Sequence, residues 1–347
     1  MRTCVLALLV LLSLARPCRA ESSPAPESRA ALLLEEALRE VSVGDVPEAE
    51  RALDEAATLF GSSGLPASAR ARSQCVAVLD LHASIFAARG DLARAEALHR
   101  SALRVAEAGG SMIDVADSLV LLSGVLLDRG DRGGAERAGR RALKLWEKAG
   151  RGDDPEVARP LNALSDVLVA RGELPEADAL LRRASRVAEA PGASAAMQAA
   201  VAARRGVVRL AMGRLPDAEA MLERSLDLAE SALGPDHVAL AQIQQALADC
   251  YRLRNRPRDA QRLYESAMER IERAYGPSHP ALLPVVAGLA MVLERQDEVP
   301  QAATQYRRAV QIAGAGPRQE TYLALQLGFE SRHRDGMRAS SATARRP

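Results

Sequence analysis

Aromatic residues are scarce in this 347-residue chain, since Phe, Trp and Tyr together make up 3% of it and Trp146 is the only tryptophan. Alanine, leucine, arginine and glutamate dominate instead, and these residues favour helices. The composition therefore favours a long helical array and argues against a β-sheet domain.

Lysine is almost missing as well, because only Lys144 and Lys148 stand against a large arginine content. The arginines are interleaved with acidic residues, and the formal net charge is +1. We attribute the arginine excess to genome composition, since a nearly neutral surface offers no basic patch for nucleic acid or for an anionic membrane. Nucleic acid is therefore not predicted as a partner.

Signatures of catalysis are lacking too. The sequence has no glycine-rich phosphate loop, no H-E-x-x-H segment and no paired C-x-x-C. A serine nucleophile would need a histidine and an acid beside it in space. Only five histidines exist, and His237 and His279 occupy equivalent positions 42 residues apart. We predict that the protein is not an enzyme and uses no cofactor.

Long apolar runs are limited to Val5–Ala15. This run is shorter than the roughly 20 residues that span a bilayer. Cys18–Ala20 places small residues at the −3 and −1 positions of a cut before Glu21. The pattern predicts a secretory signal peptide over residues 1–20 and export of a bacterial protein to the periplasm or the medium. The alternatives are a lipid anchor on Cys18 and a cytoplasmic protein that keeps its N-terminus.

Small residues recur through the rest of the chain with spacings of 40 to 46 residues. In each of seven copies an opening alanine follows a turn, a second small residue lies seven positions later, and a third lies twelve positions earlier. Helices cross closely only where side chains are small, so each copy is predicted to be a tightly packed helix pair, and the array to be a solenoid. The opening alanines are Ala49, Ala95, Ala135, Ala177, Ala218, Ala260 and Ala302; the later small residues are Ala56, Ala102, Ala142, Ala184, Ser225, Ala267 and Ala309; the earlier ones are Ala37, Ala83, Ser123, Ser165, Gly206, Ala248 and Ala290.

The sixth copy carries a family resemblance in the pattern L-A-x-x-Y-x-x-x-(G/N)-x-x-x-x-A-x-x-x-Y-x-x-A, at Leu247, Ala248, Tyr251, Asn255, Ala260, Tyr264 and Ala267. It resembles a tetratricopeptide repeat. The period near 42 and the Gly-Pro-x-His joints at 234–237 and 276–279 resemble the kinesin light chain variety. The resemblance implies an all-α fold, a right-handed α–α superhelix of about seven repeats with a C-terminal capping helix. It also implies a concave surface, lined by the first helices, that binds other proteins.

The predicted domains are a signal peptide (1–20), a linker (21–27), a solenoid (28–330) and a polar, disordered tail (331–347). The repeats are placed at about 28–60, 70–108, 112–149, 154–190, 194–233, 237–275 and 280–313, with the capping helix at 318–330.

The second repeat holds three unusual residues. His82 replaces a leucine, His99 replaces an aromatic residue, and Cys75 shares a helix face with His82. Imidazole and thiolate are zinc ligands, but the preferred interpretation is two amphipathic histidines in a loose core beside a buried thiol, with no metal. Cys250 lies four repeats from Cys75, beyond the roughly 6 Å that a disulfide requires, so both are predicted to be free.

Concave residues can be selected by register. Positions six and three before the small residue of the first helix, and one, four and five after it, are expected to be exposed in the groove. Amides there would bind a peptide backbone, and charges would select its side chains. These positions hold Asp80, Ser84, Asp117, Asp128, Asn162, Asp166, Gln242, Gln245, Asp249, Arg252, Glu294 and Arg295.

Two functional hypotheses follow. The first is an exported interaction scaffold that binds a peptide or helix of a partner protein in its groove. The second is a structural spacer or self-associating element that has no groove ligand. Substitution of groove residues would distinguish them.

Overall fold

The computed structural model describes residues 26–43, 46–61, 66, 68–109, 111–314 and 317–332. Within these ranges the regular structure is fifteen α-helices and one short 3-10 helix at Pro155–Val157, with no strand. The predicted all-α solenoid is confirmed. The helices are α1 Pro26–Val43, α2 Val46–Gly61, α3 Ala69–Ala88, α4 Leu92–Glu107, α5 Met112–Asp128, α6 Arg132–Lys148, α7 Ala158–Arg171, α8 Leu174–Ala188, α9 Ala195–Ala211, α10 Leu215–Leu233, α11 Leu240–Leu253, α12 Pro257–Tyr275, α13 Leu282–Arg295, α14 Val299–Ala313 and α15 Pro317–Arg332.

The two ends of the chain are described only in part. The predicted signal peptide, most of the linker and residues 333–347 of the tail lie outside the described residues. α1 already begins at Pro26, inside the predicted linker, and α15 continues to Arg332, past the predicted start of the tail. None of the helices in the described part of the chain is long and apolar enough to cross a membrane.

Turn chemistry explains why the helices begin and end where they do. Asp131 is the N-cap of α6, since its carboxylate accepts the N–H of Gly134 at 2.8 Å. In repeats two to seven, whose turns the structure describes, the turn between the two helices needs a left-handed residue, which is a glycine such as Gly90 (φ 87°) in four of them. Asn255 (φ 60°) and Asp297 (φ 64°) fill the same position in the last two repeats.

The twenty-one small residues are all buried. At Gly206 the helices approach so closely that an added Cβ would lie 2.6 Å from Cγ of Leu222. Each helix packs on its sequence neighbours, and each first helix from α1 to α13 also packs on the first helix of the adjacent repeat. The core is therefore a succession of local clusters, as expected for a solenoid.

The joints between repeats carry a recurring polar pair, which we call the inner ladder. One member of each pair directly follows the opening alanine of a repeat, as Glu50 follows Ala49. The other member lies in the next repeat, six residues after the small residue of its first helix, as Arg89 follows Ala83. Four joints are ion pairs: Glu50–Arg89, Glu96–Arg129, Glu136–Arg171 and Glu219–Arg254.

Two joints of the inner ladder depart from this pattern. Met212 occupies the arginine position of the fifth repeat, and Arg209, nearly one turn earlier, pairs with Asp178 at 2.8 Å instead. At the last joint the pair is neutral, because Gln296 donates to Gln261 at 2.7 Å.

A second set of pairs, the outer ladder, joins successive second helices. In each pair the arginine lies six residues after the opening alanine of its repeat. The glutamate belongs to the preceding repeat and lies twelve residues after the opening alanine of that repeat. Arginine suits such positions because its planar fork bridges carboxylates better than a lysine ammonium does. Part of the arginine content therefore has a structural role that the composition alone did not reveal. The pairs are Glu107–Arg141, Glu147–Arg183, Glu189–Arg224 and Glu272–Arg308.

Candidate functional site

A cavity of about 470 Å³ lies on the first helices of repeats three to six. We call it the concave cavity. Its volume falls within the range of about 300–1,000 Å³ that is typical of ligand sites. Its walls come from Leu127, Asp128, Gly130 and Arg132; from Asp166, Val169 and Ala170; from Ala203, Arg204, Val207, Val208 and Leu210; and from Gln242, Ile243, Gln245, Ala246 and Asp249.

Five of the predicted groove residues meet in this cavity. They come from α5, α7 and α11, and all five are half-buried. Register thus brings residues from three repeats to one site, while their role in binding stays a prediction. They are Asp128, Asp166, Gln242, Gln245 and Asp249.

The floor of the cavity is apolar, and sequence reasoning missed it. Val169, Ala170, Val207 and Leu210 are half-buried and line the cavity. They occupy the same register positions that were used to select polar candidates, one, four or five residues after the small residue. The signal was therefore present in the sequence, but only polar residues were selected from it.

Two of the acids that line the cavity, Asp166 and Asp249, are already paired with arginines. Arg204 donates through Nε to Asp166 at 3.1 Å, and sequence reasoning did not select Arg204. Asp249 accepts a hydrogen bond from the hydroxyl of Tyr264 at 2.7 Å and pairs with Arg252 at 3.3 Å. Gln242 and Gln245 are the amides that line the same wall.

The Tyr264–Asp249 bond belongs to a structural series. The fourth residue after the opening alanine reaches an acid on the first helix of its own repeat in two further repeats. Tyr306 donates to Glu294 at 3.0 Å, and His99 Nδ1 lies 2.7 Å from Asp80. His99 therefore stands in for tyrosine both in sequence and in contact, and these acids hold the second helices in place.

Three residues that were predicted to be exposed in the groove are buried. Asp80, Ser84 and Asn162 have relative exposures of 4%, 4% and 5%, so this expectation is wrong for them. Asp80 also accepts the hydroxyl of Ser118 at 2.8 Å, which together with His99 holds its carboxylate inside. The Ser84 hydroxyl donates to the Asp80 carbonyl oxygen at 2.8 Å.

The remaining candidates lie outside the concave cavity. Arg159 pairs with Asp117 at 3.1 Å, and burial raises the pKa of Asp117 to about 6 against the opposing effect of this arginine. Arg295 is exposed and donates to Asn255 at 2.8 Å. Glu294 is held by Tyr306 and by Arg332 of α15.

The Asp80 cluster contains the three residue types of a Ser-His-Asp catalytic triad, but their hydrogen bonds do not follow the order of a triad. Both Ser118 and His99 bind the carboxylate of Asp80, so the histidine is not placed as a base for the hydroxyl. Ser118 is also fully buried. The arrangement is that of a buried polar network that connects α3, α4 and α5.

The residues considered for zinc have other contacts. The His82 ring stacks on Phe86 at 4.8 Å, while His99 binds Asp80. Burial raises the pKa of the Cys75 thiol to about 11, which disfavours the thiolate that zinc requires. Across the described ranges no group of three or more His, Cys, Asp or Glu is arranged to hold a metal. Cys75 and Cys250 are both buried and free.

Comparison with known proteins gives the family and the fold. A sequence profile of the tetratricopeptide repeat matches residues 114–190, 198–271 and 259–315, which together exceed half of the chain. A search of curated proteins gives no match.

Several solved structures are similar in fold. Aspartyl phosphate phosphatase F from Bacillus subtilis has a TM-score of 0.59 at 12% identity, covering 84% of this chain and 71% of that one. A Rap protein complexed with competence and sporulation factor has a TM-score of 0.55 at 12% identity, with coverages of 89% and 99%. A tetratricopeptide repeat protein from Parabacteroides merdae has a TM-score of 0.50 at 16% identity, with coverages of 87% and 99%.

Proposed function

Since this chain belongs to the tetratricopeptide repeat family, we propose that it is an exported scaffold that binds a peptide or helix of a partner protein in the concave cavity. Members of this family are typically non-catalytic scaffolds for protein–protein interaction. The fold supports the general role, and the cavity supports the specific one.

The observation that carries the proposal is the pairing of an apolar floor with an amide wall. Val169, Val207 and Leu210 offer a surface for apolar side chains, and Gln242 and Gln245 offer donors and acceptors for a peptide backbone. A peptide segment presents both chemistries at once. The acids Asp166 and Asp249 are already paired with arginines, so they contribute little net charge to the site.

The test is co-purification with variants that spare the fold. Substitution of Asp249 would also break the bond to Tyr264, so Gln242→Ala with Gln245→Ala is the sharper variant. Two lost hydrogen bonds are expected to weaken partner capture by about tenfold or more. The matched control is Gln301→Ala with Gln311→Ala, because both of these glutamines are exposed on α14.

Partner recovery with wild type and control, but not with the cavity variant, would support the proposal. Equal recovery with all three proteins would place the contact elsewhere. Circular dichroism and a urea titration of each protein would verify that the fold is retained.

Export is the second part of the proposal. It is supported by the apolar run Val5–Ala15 and by the small residues that precede Glu21. N-terminal sequencing of the protein from the exported fraction is expected to begin at Glu21. A chain that keeps Met1 would contradict export by cleavage, and a lipid on Cys18 would favour the anchored alternative.

A self-associating role is the alternative, and α15 favours it with one observation. Its outer face exposes Leu323 and Leu327, at 39% and 54%, although a terminal helix of a solenoid normally presents a polar face. Sedimentation at rising concentration would test this. Under this alternative, Leu323→Glu with Leu327→Glu would abolish a dimer that the wild type forms.

A further inference from the structure

One contact joins repeats that are far apart in the chain. The Nε2 atom of His279 lies 2.7 Å from the carbonyl oxygen of Ala88, 191 residues earlier. Ala88 is the last residue of α3 in the second repeat, and His279 lies just before α13 of the seventh. The superhelix therefore returns to itself after five repeats.

The geometry of His279 defines the direction of this bond. Nδ1 accepts the N–H of Ala281 at 3.2 Å, so the ring proton lies on Nε2 and is donated to Ala88. Burial lowers the pKa of His279, which keeps the ring neutral and this tautomer intact.

His237 separates this contact from the local turn. It occupies the equivalent joint one repeat earlier, and its Nδ1 accepts the N–H of Ala239 at the same 3.2 Å. Within the described residues its Nε2 makes no bond to a distant repeat. The bond to Ala88 is therefore additional to what a Gly-Pro-x-His joint requires.

The concave cavity lies inside the turn that this contact closes. Its walls come from repeats three to six, which are the repeats between the two contact points. Asp128 from repeat three and Asp249 from repeat six line the same space, so the interior of the turn is narrow. A partner that approached between the second and seventh repeats would have to separate the residues that this contact joins.

We propose that the bond between His279 and Ala88 clasps one turn of the superhelix around the concave cavity, so that its occupant is an extended peptide segment that enters along the axis. A segment fixed in a folded domain is excluded until the clasp opens. This rests on the proposed function for the identity of the ligand as a peptide. The clasp narrows the proposed ligand of the cavity, a peptide or a helix, to an unfolded segment with apolar side chains.

Access to the cavity can be measured without the natural partner. A single Gln245→Cys thiol is placed in full-length protein whose four native cysteines are replaced by alanine. Labelling is then compared between N-ethylmaleimide, a maleimide-bearing unfolded peptide and a maleimide on a small folded protein. An open form populated at about 10% or less would slow the folded reagent by about tenfold or more. The two small or unfolded reagents are expected to react at the unhindered rate.

Matched histidine variants assign the effect to the clasp. Asn can replace the Nδ1 acceptor of a histidine but does not reach as far as Nε2, so His279→Asn keeps the local turn and loses the bond to Ala88. It is expected to restore labelling by the folded reagent, while His237→Asn leaves it slow. Gln301→Cys on the exposed face of α14 calibrates the three reagents.

Equal labelling by all reagents in the wild type would overturn the clasp. The same change in His279→Asn and His237→Asn would also overturn it. These outcomes are independent of partner capture. A closed cavity that captures no peptide would contradict only the proposed function. An open cavity that binds a peptide would contradict only the clasp.

Discussion

Gly288 shows at the scale of a single residue how closely α13 approaches α12. A Cβ built there would lie 2.5 Å from Cζ of Tyr264. The ring cannot move aside easily, because Tyr264 is fully buried and its hydroxyl is held by Asp249. Glycine at this point is therefore a packing requirement.

This requirement predicts opposite outcomes for two substitutions of the same type. Gly288→Ala is expected to destabilise the protein by about 1–3 kcal/mol through overpacking, although alanine is the better helix former. Gly133→Ala, at an exposed position of α6, is expected to stabilise by up to about 1 kcal/mol. Free energies of urea unfolding measure both. A shift of the same sign in the two variants would contradict the packing argument.

Asp117 gives a prediction about pH. Its pKa is raised from 3.8 to about 6 by burial, so the folded protein keeps a proton that the unfolded chain has lost. The contribution of Asp117 to the free energy of unfolding is fully present below the pKa of the unfolded chain, and it is lost as the pH rises through the folded pKa of about 6. The wild type should therefore gain stability relative to Asp117→Asn when pH falls from 7 to 5. Urea titrations of both proteins at the two pH values test this. A gap that stays constant or moves the other way would contradict it.

The roles of residues could be predicted from the sequence where they depend on spacing along the chain. They could not be predicted where they depend on a contacting side chain from another helix. All twenty-one small residues are buried as expected, because a fixed register places them at helix crossings. The burial of Asp80 depends on His99 and Ser118, which lie on two other helices. No spacing within one repeat contains that information, so Asp80 was placed in the groove.

α6 is the element that we expect to be least stable. It contains Gly133, Gly134 and Gly139, and each glycine in a helix costs up to about 1 kcal/mol relative to alanine. Gly139 also occupies the position where Tyr264 and Tyr306 anchor their own repeats, so the third repeat lacks that anchor. The burial of Trp146 and the cap from Asp131 offset only part of this.

Hydrogen exchange tests this expectation directly. Amides in the middle of α6 should exchange faster than those of α12, because local opening exposes less packed surface there. Gly133→Ala should slow exchange in α6 and leave α12 unchanged, which provides an internal control. Equal protection of the two helices in the wild type would mean that packing against neighbouring repeats compensates for the glycines.

The whole molecule depends on joints that no single repeat contains. Periodicity predicts every helix pair, but the return of the superhelix to Ala88 depends on small rotations that accumulate over five repeats. The inner and outer ladders were not predicted for a related reason, since the two residues of each pair lie on different repeats. The fold class followed from the sequence, whereas the curvature that encloses the cavity required coordinates.

The inner ladder predicts how joints respond to salt. A double-mutant cycle on Glu136 and Arg171 is expected to give a coupling of about 0.5–1 kcal/mol that weakens with added salt. The same cycle on Gln261 and Gln296 should be insensitive to salt, because that pair is neutral. Unfolding free energies at low and high salt supply both cycles. A salt-independent coupling at the charged joint would show that the pair contributes by packing rather than by charge.

The joint pairs also decide which repeats can be exchanged or copied. The third repeat carries Arg129 toward its predecessor and Glu136 toward its successor, so a duplicate inserted after it would match both neighbours. The seventh repeat instead presents Gln296, which forms a neutral pair with Gln261 of the sixth repeat and carries no charge to pair with a glutamate. The array can therefore lengthen by duplication of a middle repeat with its charged joints preserved, whereas the last two repeats keep their neutral joint only if they are copied together.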